Sequence, residues 1–172
     1  LGYFAIPEKL RSILNMSKIL SSESIPSVTT PIQYAAVEAF SNDYSDYLNK
    51  TRNILFSVGN YVYNNLKSNK VLIAPPQGAF YLMPEFKNKK FKTSSKLCEV
   101  ILNETGVAML PGSDFGFKPN KMLTRLSYTD FDGTEFFRNV TNCSQIDDEM
   151  IKKFAPNVVE GVFKLSNWAK NL

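Results

Sequence analysis

Between Tyr47 and Leu66, side chains that can be buried recur at Tyr47, Leu48, Thr51, Ile54, Leu55, Val58, Tyr61, Val62 and Leu66. This is the i, i+3, i+4, i+7 spacing of one helix face, kept over several turns. It predicts a helix over about residues 46–67, long enough to connect two domains. It also divides the sequence into two parts of different character.

Before it, residues 1–6 read as an apolar strand ending at Pro7, which suits the first position of a helix over 8–20 with Leu10, Ile13 and Leu14 on one face. A chain that opens on a strand without an initiator Met is expected to be part of a longer protein. Residues 21–30 lack periodicity and read as a loop. Thr30 as N-cap and Pro31 at N1 then start an Ala-rich helix to about residue 40, and residues 41–45 break the pattern.

After it come short strands at 71–74, 79–83, 107–110 and 123–129, with a helix over 93–104 capped by Thr93 or Ser94. Residues 130–146 read as irregular. Ser144 and Asp147 have capping-box spacing. Ile151, Phe154, Ala155, Val158, Val159, Val162 and Leu165 mark a last helix, which Pro156 kinks or restarts. Helices followed by strands interleaved with helices predict an α+β or layered α/β unit with one mixed sheet.

Hydrophobic residues make up 44% of the chain, enough for a core and against disorder. No apolar run approaches bilayer length, so no membrane span is expected. Cys98 falls on an apolar helix face with Leu97, Ile101 and Leu102. With Cys143 as the only other cysteine, neither a disulfide scaffold nor a metal site is indicated, and a reducing, cytoplasmic setting is expected. There is no histidine, which removes Ser/His/Asp and Cys/His catalysis from within the chain. The basic run from Lys87 to Lys92 could meet phosphate or nucleic acid. Without a glycine and aromatic recognition pattern beside it, a solvated loop is the better reading, and no nucleic-acid partner is expected.

Arg125 lies inside an apolar strand, on the same face as Leu123 and Ser127. Burying an Arg there requires an anion. It therefore reads as a surface Arg, an internal salt bridge, or a bidentate clamp for a substrate carboxylate. The Pro111–Gly116 segment matches neither phosphate-loop nor dinucleotide fingerprints and reads as a structural turn. Residues 75–81 read as a tight turn into a strand, with Gly78 at a position needing positive φ.

Taken in order, Leu1-Gly2-Tyr3, the run from Thr30 to Ala39, Pro76-Gln77-Gly78-Ala79-Phe80-Tyr81, the run from Gly106 to Gly116, and Arg125-Leu126-Ser127-Tyr128 resemble the C-terminal half of the class I/II aminotransferases. These are fold-type I enzymes dependent on pyridoxal 5'-phosphate, and the resemblance covers roughly residues 1–135. It implies the end of a large cofactor-binding domain (1–45), an interdomain helix (46–68) and a small C-terminal domain (69–172) with a small mixed sheet flanked by helices. Arg125 matches the arginine that grips the substrate α-carboxylate. Phe80 matches an aromatic that closes near the substrate. Thr29 and Thr30 precede a helix that lies near the partner subunit's cofactor phosphate; an ordinary N-cap is the alternative. The lysine that joins the cofactor falls upstream of Leu1 in the resemblance, so no catalytic residue is assigned here and the chain alone is expected to be inactive. The implied substrates are an amino acid and a 2-oxo acid, and the implied assembly is a homodimer. A lyase or synthase of the same fold, or a non-catalytic dimerisation or binding piece, is the alternative.

Overall fold

The computed structural model describes residues 1–25, 27–88, 90–141 and 145–172. They form two compact units, Leu1–Tyr44 and Ser45–Leu172.

In the first unit the opening run forms no strand; among the described residues no strand lies beside it to bond, and its residues are exposed or half-exposed. Pro7 caps a 3-10 turn, Glu8–Leu10, rather than opening a helix. Helix α1, Arg11–Ser24, runs past the expected end at residue 20. Helix α2, Thr30–Ser41, has Thr29 at its N-cap, one residue earlier than expected. Neither helix buries a residue, and Leu10 and Ile13 are exposed. The Tyr3 ring meets Phe40 edge-on at 6.2 Å.

The second unit is organised by helix α3, Ser45–Leu66, whose stripe buries Ile54, Val58, Val62 and Leu66. The start of the stripe, Tyr47 and Leu48, stays exposed. Among the described residues five short strands follow: β1 (Val71–Leu72), β2 (Tyr81–Leu82), β3 (Glu85–Phe86), β4 (Leu110–Pro111) and β5 (Thr124–Ser127). The small sheet flanked by helices is present, but its described strands all pair antiparallel rather than in a mixed arrangement. β1 pairs with β3, and the other three run in the order β2-β5-β4. A bridge from Glu85 to Leu123 ties the two pieces together.

Helix α4, Ser94–Thr105, starts where the Thr93 side chain accepts the Lys96 N–H and stops at Gly106, whose φ of 75° is left-handed. The region read as irregular contains helix α5, Gly133–Asn139, capped by the Asp132 carboxylate. Asp147 itself caps helix α6, Asp148–Phe154, while Ser144 lies outside the described residues. Pro156 restarts the chain as helix α7, Pro156–Lys170, which packs along α3. Phe86, Leu97, Ile101, Phe136, Ile151 and Leu165 fill the centre of one core. Cys98 is buried within it, and burial, then the nearby Asp114, pushes its thiol up to about 11, so it stays protonated and unreactive at neutral pH. Cys143 lies outside the described residues. In the basic run, Lys90 donates to the Asn171 carbonyl at 3.0 Å. Among the described residues no helix is long and apolar enough to cross a membrane.

Candidate functional site: an arginine between two aromatic rings

Strand β5 alternates as its sequence requires. Thr124 and Leu126 are buried on one face, and Arg125 and Ser127 lie on the other. The Thr124 hydroxyl donates to the Pro84 carbonyl at 3.1 Å, so its buried oxygen is satisfied. Arg125 faces Leu110 across the β4 pairing. Ser127 faces Tyr81 across the β2 pairing, which puts Tyr81 diagonal to Arg125 on the same face.

Arg125 is half-buried, and no carboxylate lies within ion-pair distance of it among the described residues. Its guanidinium carbon sits 4.4 Å from the centre of the Tyr81 ring and 4.2 Å from that of Phe115. Of the three readings open from the sequence, an internal salt bridge is absent. The cation is instead covered by two aromatic faces.

The Pro111–Gly116 segment is a structural turn, as its sequence predicts, but it also delivers Phe115. It forms a 3-10 turn, Gly112–Phe115, closed by left-handed Gly116 at φ 82°. The Gly112 N–H donates to the Leu123 carbonyl at 2.8 Å. A Cβ on Gly112 would lie 2.7 Å from that oxygen, so only glycine permits this approach to β5.

In the turn before β2, the left-handed residue is Ala79, at φ 57°, not Gly78. A non-glycine residue holds that conformation when its surroundings fix it. Here the Tyr128 hydroxyl donates to the Ala79 carbonyl at 3.1 Å, and the Tyr128 N–H donates to the Phe80 carbonyl at 3.3 Å. Burial raises the Tyr128 pKa, which keeps that hydroxyl a donor. Gly59 on α3 makes room, since a Cβ there would meet the Tyr128 oxygen at 2.9 Å. Phe80 is 38% exposed and lies against the Tyr81 ring at 4.3 Å, not against Arg125.

Thr29 and Thr30 are exposed and belong to the first unit. Thr29 occupies the N-cap position of α2, but its hydroxyl makes no capping bond. Its carbonyl accepts the Ile32 and Gln33 N–H groups, and Pro31 has none to offer. Among the described residues the donors left at this helix end are the Thr30 N–H and two hydroxyls, a set that fits a phosphate oxygen. Among the described residues there is no group of His, Cys, Asp and Glu able to hold a metal ion.

The profile of the family described as "Aminotransferase class I and II" matches residues 1–138. A probable aspartate/prephenate aminotransferase of Aquifex aeolicus (strain VF5) is 36% identical over 120 residues, which are 67% of this chain and 30% of that protein. An aspartate aminotransferase of Bacillus sp. (strain YM-2) is 35% identical over 109 residues, 60% of this chain and 28% of that one. Among solved structures, the aspartate aminotransferase of Thermotoga maritima superposes with a TM-score of 0.58 at 28% identity, over 90% of this chain and 32% of its own. The alanine aminotransferase of Pyrococcus furiosus shares the fold, with a TM-score of 0.68 at 19% identity over 96% of this chain and 36% of its own. The chain thus spans about 30% of the length of these curated relatives.

Proposed function

Because the chain belongs to the class I and II aminotransferase family, we propose that it supplies the substrate-carboxylate clamp and the closing small domain of a pyridoxal-phosphate-dependent aminotransferase. That enzyme moves an amino group between an amino acid and a 2-oxo acid. Arg125 carries the reading: it is a half-buried cation with no carboxylate partner among the described residues, set in a strand where only an anion would complete it. Residues 1–45 would end the large domain, 46–68 link it, and 69–172 form the small domain of a cytoplasmic homodimer. The names of the relatives make aspartate the first amino acid to test.

In this role Arg125 binds the α-carboxylate through two parallel N–H bonds and so fixes the direction of the Cα–H bond. Phe80, exposed beside Tyr81, gives the site an apolar wall that displaces water as the domain closes. Thr29 and Thr30 would hold a phosphate oxygen of the cofactor from the partner's side. When bound, pyridoxal phosphate supplies the electron sink that makes the α-proton acidic. No residue of this chain is given the proton transfer.

Two measurements test this. Titrating the 15N-labelled chain with L-aspartate at tens of millimolar should shift the Arg125 side-chain N–H resonance saturably. Arg125→Gln should remove the accompanying response of the Tyr81 ring protons. An undiminished response in that variant would remove the clamp. Separately, incubation with pyridoxal phosphate and borohydride should leave no single lysine stoichiometrically labelled; one dominant labelled lysine would place cofactor attachment within the chain.

A further inference from the structure

An arginine that must meet a carboxylate edge-on has to be held flat before the ligand arrives. Hydrogen bonds or an ion pair could do this, but either would use the N–H donors needed for the ligand. The guanidinium carries all its donors in its plane and none on its faces. Holding it by its faces leaves every donor available. Aromatic rings, not an anion, meet Arg125 here: its guanidinium carbon lies 4.4 Å from the centre of the Tyr81 ring and 4.2 Å from that of Phe115, and no ion pair is found for it among the described residues.

The two rings reach Arg125 from separate elements, each independently fixed. Tyr81 is set by the β2–β5 register and backed by the Phe80 ring at 4.3 Å. Phe115 is set by the 3-10 turn, which the Gly112 N–H anchors to the Leu123 carbonyl at 2.8 Å. Phe115 is 39% exposed. An exposed ring at the end of a turn contributes little to the core, but here it covers a cation.

We propose that Tyr81 and Phe115 are positioning residues, holding the Arg125 guanidinium flat with its donor edge open so that a substrate carboxylate docks without reordering it. This rests on Arg125 being the carboxylate clamp. The Tyr81 hydroxyl has no part in it; the ring face does.

The test uses the whole chain with four variants, Tyr81→Leu, Phe115→Leu, Tyr81→Phe and Phe115→Tyr, and Arg125→Gln as reference. The first readout is the ring-current shift of the Arg125 δ-methylene and Nε–H resonances without ligand. The second is the affinity for L-aspartate. The parent chain should show upfield-shifted Arg125 resonances. Each leucine variant should lose much of that shift and bind L-aspartate about fivefold more weakly, the scale of one partly solvated cation–π contact. Tyr81→Phe and Phe115→Tyr should restore both, which a merely structural role for the side chains would not predict for the Arg125 resonances. Should Tyr81→Leu fail to fold, Phe115→Leu decides, since its side chain lies at the surface. Leucine variants that bind L-aspartate as tightly as the parent, while Arg125→Gln does not, would overturn the positioning role and leave the clamp standing. L-aspartate binding unchanged in Arg125→Gln would remove the clamp and the positioning role with it.

Discussion

Arg125→Ala is expected to lower kcat/KM for the amino-acid substrate by about 10²- to 10³-fold in an active aminotransferase built with this chain, because a bidentate charged pair contributes ~3–4 kcal/mol. Most of the loss should fall on KM. The α-carboxylate carries the same charge in the ground state and the transition state, so Arg125 binds both alike. A smaller loss in kcat should accompany it, from a Cα–H bond that is no longer held in one direction. Arg125→Lys should recover only part, since a point charge lacks the fork that spans both oxygens and the flat, delocalised cation that Tyr81 and Phe115 meet. The decisive comparison is with a primary amine lacking the carboxylate, which parent and Arg125→Ala should turn over equally slowly. Steady-state kinetics would count against the clamp if both parameters for the amino acid changed less than threefold.

The residues that make this site differ in how they announce themselves. Arg125 is legible because alternation in 123–129 gives it a face, and a charge on a strand among apolar neighbours is conspicuous. The α3 stripe is legible for the same reason, a period kept over many turns. Tyr81 and Phe115 are not legible as a pair. Their meeting depends on the β2–β5 register and on a turn whose shape comes from one glycine approaching one carbonyl, and neither leaves a period in the sequence. Local preference puts the left-handed residue before β2 at Gly78, yet it is Ala79, held by the distant Tyr128 hydroxyl. Tertiary contact outweighs local preference there. The opening run has the composition of a strand, but strands exist only in pairs, and composition names no partner. Helix α5 hid in a different way. Its seven residues are too few to show a period, and its signal was the cap, Asp132 followed three residues later by Glu135.

Phe136, on that unforeseen helix, gives the largest expected effect on stability. It is fully buried, and its ring lies edge-on to Phe131 at 5.7 Å and tilted against Phe154 at 5.3 Å. One short helix is thereby joined to α6 and to the segment that links it to β5. Phe136→Ala removes the ring and leaves a cavity that three elements cannot readily collapse to fill, at a cost of about 3–5 kcal/mol. A domain of this size is stable by ~5–15 kcal/mol, so the variant should lose about a fifth or more of that margin and melt on the order of 10 °C lower. The neighbouring Phe137 is the control. It is half-buried, with the Lys50 ammonium 4.1 Å above its ring and Tyr47 at 5.4 Å, so Phe137→Ala should cost only about 1 kcal/mol. Thermal and urea unfolding of the two variants side by side distinguishes a core anchor from a helix that merely lies on the surface. Equal losses would mean that α5 does not seal the core through Phe136.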